Sequence, residues 1–331
     1  MRIGVNGLGR IGKLVLRRLA DLGLIEHVVW INDLVGDAAA HAHFLEFDSV
    51  QGRWAVPLGG QGDRLTVAGH EISVLNRATP ADLPLGDIDL VIECSGQHKA
   101  AATLQPYRDA DVRILVSAPV KDGHALNLVY GVNHDQYDTA RHDLVTAASC
   151  TTNCLAPVVK VVLDSFGIRH GAITTLHDVT NTQVVVDKPM KDLRRARSAL
   201  TNLIPTTTGS ATAITLIYPQ LQGRLNGHAV RVPMLNASLT DCVFELERET
   251  SPEALNHAFA TAAAGPLRDI LGVEHRPLVS SDYVGDSRSA IIDAPSTMVV
   301  NGTQAKIFAW YDNEWAYSCR VVDIARMIAR I

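Results

Sequence analysis

Three groups of residues in this 331-residue chain are of types and spacings that could do chemistry. The first is Gly7-Leu8-Gly9-Arg10-Ile11-Gly12, a GxGxxG pattern directly after the apolar run 2–6. Gly7 would allow a tight turn, Gly9 would let backbone approach a pyrophosphate, and Gly12 would let a following helix pack close to the strand. Arg10 adds a cation there. Asp33 closes the next apolar run, 27–32, at about the distance where an acid accepts hydrogen bonds from an adenosine ribose, which favours NAD over NADP. A tight strand-to-helix turn without a nucleotide is the alternative, and Asp33 alone could simply cap the next turn.

The second group is Ser149-Cys150-Thr151-Thr152-Asn153-Cys154. Leu155, Val158, Val159, Val162, Leu163 and Phe166 follow at helical spacing. Cys150 would then lie in the first turn, where free N–H groups and the positive end of the helix favour a thiolate, the reactive form. Cys154, one turn deeper, reads as a packed thiol. Pro157 predicts a bend. His177 ends the strand-like run 171–177, from which an imidazole could activate the thiol as a general base. Thirteen histidines are present, so sequence order alone does not pair His177 with Cys150.

The third group is cationic. Residues 178–200 carry Lys188, Lys191, Arg194, Arg195 and Arg197 without an apolar stripe, as an anion-binding loop or a solvated one would. Thr206-Thr207-Thr208-Gly209 supplies hydroxyls and a permissive backbone. Arg231 sits in an apolar run and needs a negative partner, which a phosphate or a protein carboxylate would supply.

These residues need elements to hold them. Short apolar runs at 2–6, 27–32, 89–94, 113–117 and 144–148 alternate with helical patterns, as in a parallel sheet with crossover helices. Ile11, Val15, Leu19 and Leu22 would lay one helix face over that sheet. From about residue 171 longer segments, 228–235 and 240–247 among them, have few helical patterns between them, as in an antiparallel sheet. The boundary is expected near Cys150. Val321, Ile324, Ala325, Ile328 and Ala329 form a last helical repeat that could return the chain to the first domain.

Composition agrees with this picture. The length suits two domains. With 47% hydrophobic and 20% charged residues, the chain is neither disordered nor coiled coil. The net charge of −5 argues against a dedicated nucleic-acid or membrane-surface binder while leaving small anions possible. The cysteines Cys94, Cys150, Cys154, Cys242 and Cys319 form no CxxC and no metal spacing, so no metal is expected. Their odd count suits free thiols in a reducing compartment, and no signal core or membrane span is visible. A cytoplasmic protein is expected.

NGLGRIG, SAPVKD, ASCTTNCLAP, the TGSA turn, the RVP strand and WYDNEW occur in this order. The chain thereby resembles the phosphorylating glyceraldehyde-3-phosphate dehydrogenases over nearly its full length. The resemblance implies a Rossmann-type parallel sheet domain that binds NAD, over 1–149 and 315–331. It also implies an α+β catalytic domain with a mainly antiparallel sheet, over 150–314. Cys150 would be the nucleophile and His177 its base. Arg10, Ile11, Asp33, Arg77, Ser117 and Asn313 match NAD contacts. Thr180, Arg195 and Arg231 match a substrate-phosphate site, with Arg194 and Arg195 left undecided, and Ser149, Thr151, Thr208 and Gly209 match an inorganic-anion site. The family is typically a homotetramer whose basic loop lies near a neighbour's cofactor.

Several details depart from the commonest pattern: ECSG at 93–96, LHDVTNTQ after the catalytic strand, Thr212 in GSATAI, and Ala316 in NEWAYS. FDSVQGRW, GIRHGAITTLHDVTNTQ, GSATAI and LNASLTDC are similar to the subgroup encoded beside an arsenic efflux permease. In that subgroup arsenate attacks the thioester and 1-arseno-3-phosphoglycerate is exported. Arsenate and phosphate share charge and shape, so hydrogen-bond donors should distinguish them poorly. Lys188 stands where NAD-preferring members often have an apolar residue, which could soften discrimination against NADP. Erythrose-4-phosphate dehydrogenase and a non-catalytic NAD-binding protein are the competing readings. A cysteine hydrolase would leave the glycine motif unexplained.

Overall fold

The computed structural model describes residues 1–120 and 122–331; Lys121 and the side chains of Ser210, Ala211 and Thr212 lie outside the described residues. The chain forms two compact units. One comprises Met1–Tyr130, His134–Ser149 and Tyr317–Ile331, the other Gly131–Asn133 and Cys150–Ala316.

In the first unit a nine-stranded sheet has the order β3-β4-β5-β2-β1-β6-β7-β9-β8. Its strands are β1 (Ile3–Asn6), β2 (Val28–Asn32), β3 (Leu58–Gln61), β4 (Arg64–Val67), β5 (His70–Leu75), β6 (Leu90–Glu93), β7 (Arg113–Val116), β8 (Leu126–Asn127) and β9 (Leu144–Thr146). From β5 through to β8 every neighbouring pair is parallel, while β3 and β4 add an antiparallel edge. Continuous apolar runs became the central strands because both of their faces are covered; all four residues of β1 are buried. Helix α1 (Arg10–Asp21) buries Leu14, Val15, Leu16 and Leu19 as its apolar face. Helices α2 (Ala38–Glu46) and α3 (Ala101–Asp109) also belong to this unit. The chain leaves β1 for β2 on one side, whereas β6 lies on the other. The loop after β1 is therefore at the switch point where open α/β sheets bind ligands.

The second unit is built on an eight-stranded sheet of β10 (Ile168–His177), β11 (Ile204–Thr207), β12 (Leu225–Arg231), β13 (Ser238–Leu246), β14 (Leu271–Glu274), β15 (Ala290–Asp293), β16 (Met298–Val300) and β17 (Gln304–Tyr311). The order is β11-β12-β10-β13-β17-β15-β14, with β16 on β17. The pairs β10–β12 and β14–β15 are parallel and the others antiparallel. Helix α4 (Cys150–Phe166) lies against β10, β13, β15 and β17 and is buried nearly all round, which explains its apolar character on every face. It runs through Pro157 as one helix. Helices α5 (Ser210–Ile217) and α6 (Pro252–Ala264) add more helix to this half than the sequence pattern suggested. The 228–235 run ends as a strand at Arg231, just before Val232-Pro233, because proline cannot donate to a ladder.

Residues 131–133 belong to the second unit, where Gly131 has φ +86° and a Cβ would come within 2.9 Å of Ile270. Helix α7 (Trp315–Ala329) rejoins the first unit from Tyr317, whose hydroxyl donates to the Ala148 carbonyl at 3.0 Å. No helix among the described residues is long and apolar enough to cross a membrane.

Candidate active site

The glycine loop follows β1 without a gap. Gly7 has φ +93°, a conformation that strains any L side chain, and a Cβ there would lie 2.3 Å from the Ser95 amide. At Gly12 a Cβ would lie 2.0 Å from the Gly7 carbonyl, so helix and turn touch backbone to backbone. Gly9 differs: a Cβ there would meet nothing within 4 Å. The loop is open where a pyrophosphate would approach, and helix α1 has neither a side-chain cap nor an acid in its first turn. No acid or capping side chain therefore meets the positive end of its dipole, which favours an anion there. Arg10 is ion-paired with Asp48, a nearly buried acid. Burial raises the Asp48 pKa, but Arg10 and the amides of Gln51 and Val50 outweigh it and hold the carboxyl at about 2.

Asp33 is fixed by accepting hydrogen bonds from the Leu8 amide at 2.7 Å and the Val35 amide at 3.2 Å. The acid thus ties the end of β2 to the glycine loop and retains lone pairs for a ribose. Ile11 is half-buried at the start of α1, and Arg77 is exposed, with its amide bound to the Asn32 side chain at 2.7 Å. Ser117 follows β7, its amide donating to the Glu93 carbonyl at 2.9 Å. These residues and the loop belong to the first unit and fit a dinucleotide. Asn313 belongs to the second, where it is buried and accepts from Ser238 Oγ at 3.3 Å.

The thiol is presented by a strained elbow. After β9, Ala148 takes φ +53°, stabilised by its amide bonding Thr146 Oγ1 at 3.1 Å, and α4 begins at Cys150. Such a conformation at a non-glycine residue costs roughly 1–3 kcal/mol. Thr151, Thr152 and Asn153 are buried, while Ser149 and Cys150 stay half-exposed. Cys150 Sγ lies 3.7 Å from His177 Nε2 and 4.0 Å from Thr151 Oγ1, and Thr151 Oγ1 is in turn 2.8 Å from the Tyr311 hydroxyl.

Sheet register places the rest. His177 and Arg231 are partners across β10 and β12; Leu176 pairs with Leu239, bringing Ser238 to the same end; and Ser238 pairs with Tyr311 across β13 and β17. The Tyr311 ring stands edge-on to the imidazole, centroids 6.2 Å apart. Burial pulls the His177 pKa down, but Asp178 and Cys150 more than reverse this and raise it to about 9. Burial also lowers the Arg231 pKa, and Arg231 Nε is buried with no partner.

The cationic segment is partly resolved into roles by burial. Arg195 is half-buried and donates from Nε to Thr206 Oγ1 at 2.9 Å, whereas Arg194 is exposed. Thr180 is exposed, its hydroxyl 3.0 Å from that of Thr182. Thr208 and Gly209 lie between β11 and α5. Three residues at the thiol end went unremarked as site residues in the sequence: Asp178, Ser238 and Tyr311. Asp178 had a visible signal, an acid directly after the histidine; the other two needed the register.

The Rossmann-type unit, with its open glycine loop, and the second unit, with its helix-borne thiol beside an imidazole, define the class of NAD-dependent dehydrogenases. Family models match the glyceraldehyde 3-phosphate dehydrogenase NAD binding domain over residues 1–101 and C-terminal domain over residues 149–313. The chain is 56% identical to glyceraldehyde-3-phosphate dehydrogenase 3 of Nostoc sp., covering 99% of this chain and 98% of the relative. It is 47% identical to glyceraldehyde-3-phosphate dehydrogenase 1 of Bacillus cereus (98% and 97%) and 46% identical to the enzyme of Geobacillus stearothermophilus (99% and 98%). It belongs to the glyceraldehyde 3-phosphate dehydrogenase family.

Proposed function

We propose that the protein oxidises glyceraldehyde 3-phosphate with NAD+ through a thioester on Cys150, which phosphate or arsenate then releases. The observation that carries this is the 3.7 Å approach of Cys150 Sγ to His177 Nε2 at the first turn of α4. We assign 1–149 and 315–331 to NAD binding and 150–314 to catalysis.

His177 takes the thiol proton and returns it to the carbonyl oxygen as the Cys150 sulfur adds to the aldehyde carbon, giving a thiohemiacetal. His177 then removes the hydroxyl proton as that carbon is oxidised to the thioester. Bound NAD+ supplies the hydride acceptor. Gly7, Gly9, Arg10, Ile11, Gly12, Asp33, Arg77, Ser117 and Asn313 hold the dinucleotide. Thr180, Arg195 and Arg231 receive the substrate phosphate; Arg195 is preferred over Arg194 because Thr206 anchors it at 2.9 Å. Ser149, Thr151, Thr208 and Gly209 receive the attacking anion. The unpartnered Arg231 Nε supports an oxyanion beside the base, since a buried donor left unsatisfied costs about 1–3 kcal/mol.

The similarity of FDSVQGRW, LHDVTNTQ and GSATAI to the subgroup linked to an arsenic efflux permease supports arsenate detoxification as the physiological role. Five free thiols support a reducing, cytoplasmic setting. Val185, Val186 and Leu193, at 64%, 75% and 79% exposure, support a homotetramer assembled through the basic loop.

The test supplies glyceraldehyde 3-phosphate, NAD+ and either anion while NADH and acyl product are followed. Turnover with both anions is expected, with none in Cys150→Ser and NAD+ binding retained. Preference for erythrose 4-phosphate would move the assignment to that aldehyde, and activity surviving in Cys150→Ser would overturn it. Arsenate resistance on co-expression with the permease, lost in Cys150→Ser, tests the physiological role.

A further inference from the structure

Asp178 is 1% exposed, and a carboxylate so far from water needs partners. Its Oδ1 lies 2.6 Å from His177 Nδ1 and accepts from Ser238 Oγ at 3.3 Å; its amide donates to the same hydroxyl oxygen at 3.2 Å. Oδ2 has no partner. The other groups facing the imidazole are Cys150 on α4, the Tyr311 ring on β17, the Asp178 carbonyl, 2.9 Å from Nδ1, and Arg231 on β12, whose Nη1 stands 2.6 Å from Nδ1.

Asp178 and Arg231 select opposite tautomers. A guanidinium only donates, so Arg231 bonds Nδ1 only when that nitrogen carries no proton; a neutral ring then holds its proton on Nε2 and cannot take one from the thiol. An ionised carboxylate only accepts, so Asp178 draws the proton to Nδ1 and leaves the Nε2 lone pair for Cys150. Arg231 is not stranded in that state, because Nη1 also reaches the Asp178 carbonyl at 2.8 Å.

We propose that Asp178 is a positioning residue that completes a Cys150–His177–Asp178 triad, fixing the proton on Nδ1 and stabilising the imidazolium formed when Nε2 takes the thiol proton. The inference rests on Cys150 and His177 being nucleophile and base. In that step the S–H bond breaks and an Nε2–H bond forms. Nδ1–H stays on the ring, donating to Oδ1, and no electrons are exchanged with any partner. The raised pKa of His177, despite burial, agrees with a carboxylate at Nδ1.

The experiment uses the full-length protein with Asp178→Asn, which keeps the shape without the charge, and Asp178→Ser as a second variant. Cys150 alkylation against pH and the pre-steady-state NADH burst are measured. The alkylation profile should move up by about one pH unit and the burst should slow about tenfold or more. KM for the aldehyde and Kd for NAD+ should stay within about twofold. A structural role alone would lower the melting temperature without moving the profile. Wild-type profiles in the folded variants would overturn the proposal, as would failure of both to fold, which would make Asp178 a structural acid. Cys150→Ser is run in parallel: turnover there sinks the underlying chemistry, whereas an inactive Cys150→Ser beside wild-type-like Asp178 variants sinks only the triad.

Discussion

His177 and Arg231 are direct register partners across the parallel strands β10 and β12, and guanidinium Nη1 stands 2.6 Å from imidazole Nδ1. One rung of the sheet thus holds both the base proposed for the thiol and the cation proposed for the substrate phosphate. Arg231→Gln should therefore raise KM for glyceraldehyde 3-phosphate by about tenfold or more, because the substrate phosphate loses a charge-assisted donor. Steady-state kinetics with the aldehyde and with each anion check this; a rise confined to the anions would move Arg231 out of the substrate-phosphate site.

The glycine loop should separate stability from binding. Gly12→Ala drives a Cβ to 2.0 Å from the Gly7 carbonyl and should lower stability by about 1–3 kcal/mol. Gly9→Ala meets no protein atom within 4 Å and should melt like the wild type while weakening NAD+ about tenfold, or about 1.4 kcal/mol. Thermal melts and NAD+ titration on the two variants decide; equal melting losses would refute the assignment of open space at Gly9.

His177 has a folded-state pKa raised from 6.5 to about 9. A raised pKa means the folded state binds the proton more tightly. Its stabilisation is complete below about pH 6.5 and is lost as pH rises through about 9. Relative to His177→Asn, the wild type should have its largest advantage in urea midpoint near pH 6 and a progressively smaller one up to pH 10. An advantage growing with pH would contradict the ion-paired imidazole.

Asp48 has the opposite sign. Held at about 2 by Arg10 and two amides, it contributes stability above about pH 3.8 that disappears as pH falls through about 2. Asp48→Asn should cost about 2 kcal/mol at neutral pH and little at pH 2, as judged by denaturant midpoints in that range. A constant penalty would mean that the substituted amide fails by shape and not by charge.

Ala148 sits at φ +53° immediately before the thiol turn. Glycine adopts that conformation freely, so Ala148→Gly should leave the melting temperature nearly unchanged, whereas Ala148→Val should lose about 2 kcal/mol or more through β-branching at a left-handed position. Calorimetry of the pair tests whether the elbow is strained; a tolerated valine would show that it is not.

The parallel core was legible because its central strands are continuous apolar runs, three of them ending in a polar residue: Asn6, Asn32 and Glu93 close β1, β2 and β6. Strands β3 to β5 were not. Leu58-Gly59-Gly60-Gln61 has neither the alternation nor the branched residues of a strand, and its pairing comes from the hairpin with β4. Cys150 stood out by its place after a strand and before a helical repeat. Its distance from His177 depends on how β10 crosses beneath α4, a tertiary relationship that no local spacing encodes. The same holds for Tyr311, 160 residues from the Thr151 it bonds. Asp178 had a signal in its place directly after the histidine, but an acid after a strand usually faces water, and only the fold shows that this one does not.

The half-exposed Cys150 at the first turn of α4 makes the chain its own counting standard. Cys154, Cys242 and Cys319 are fully enclosed, and burial pushes the Cys94 and Cys154 thiols up to about 12. A thiol reagent applied briefly at neutral pH therefore meets one fast sulfur per folded chain, so the stoichiometry of rapid labelling reports the fraction of competent enzyme in any preparation.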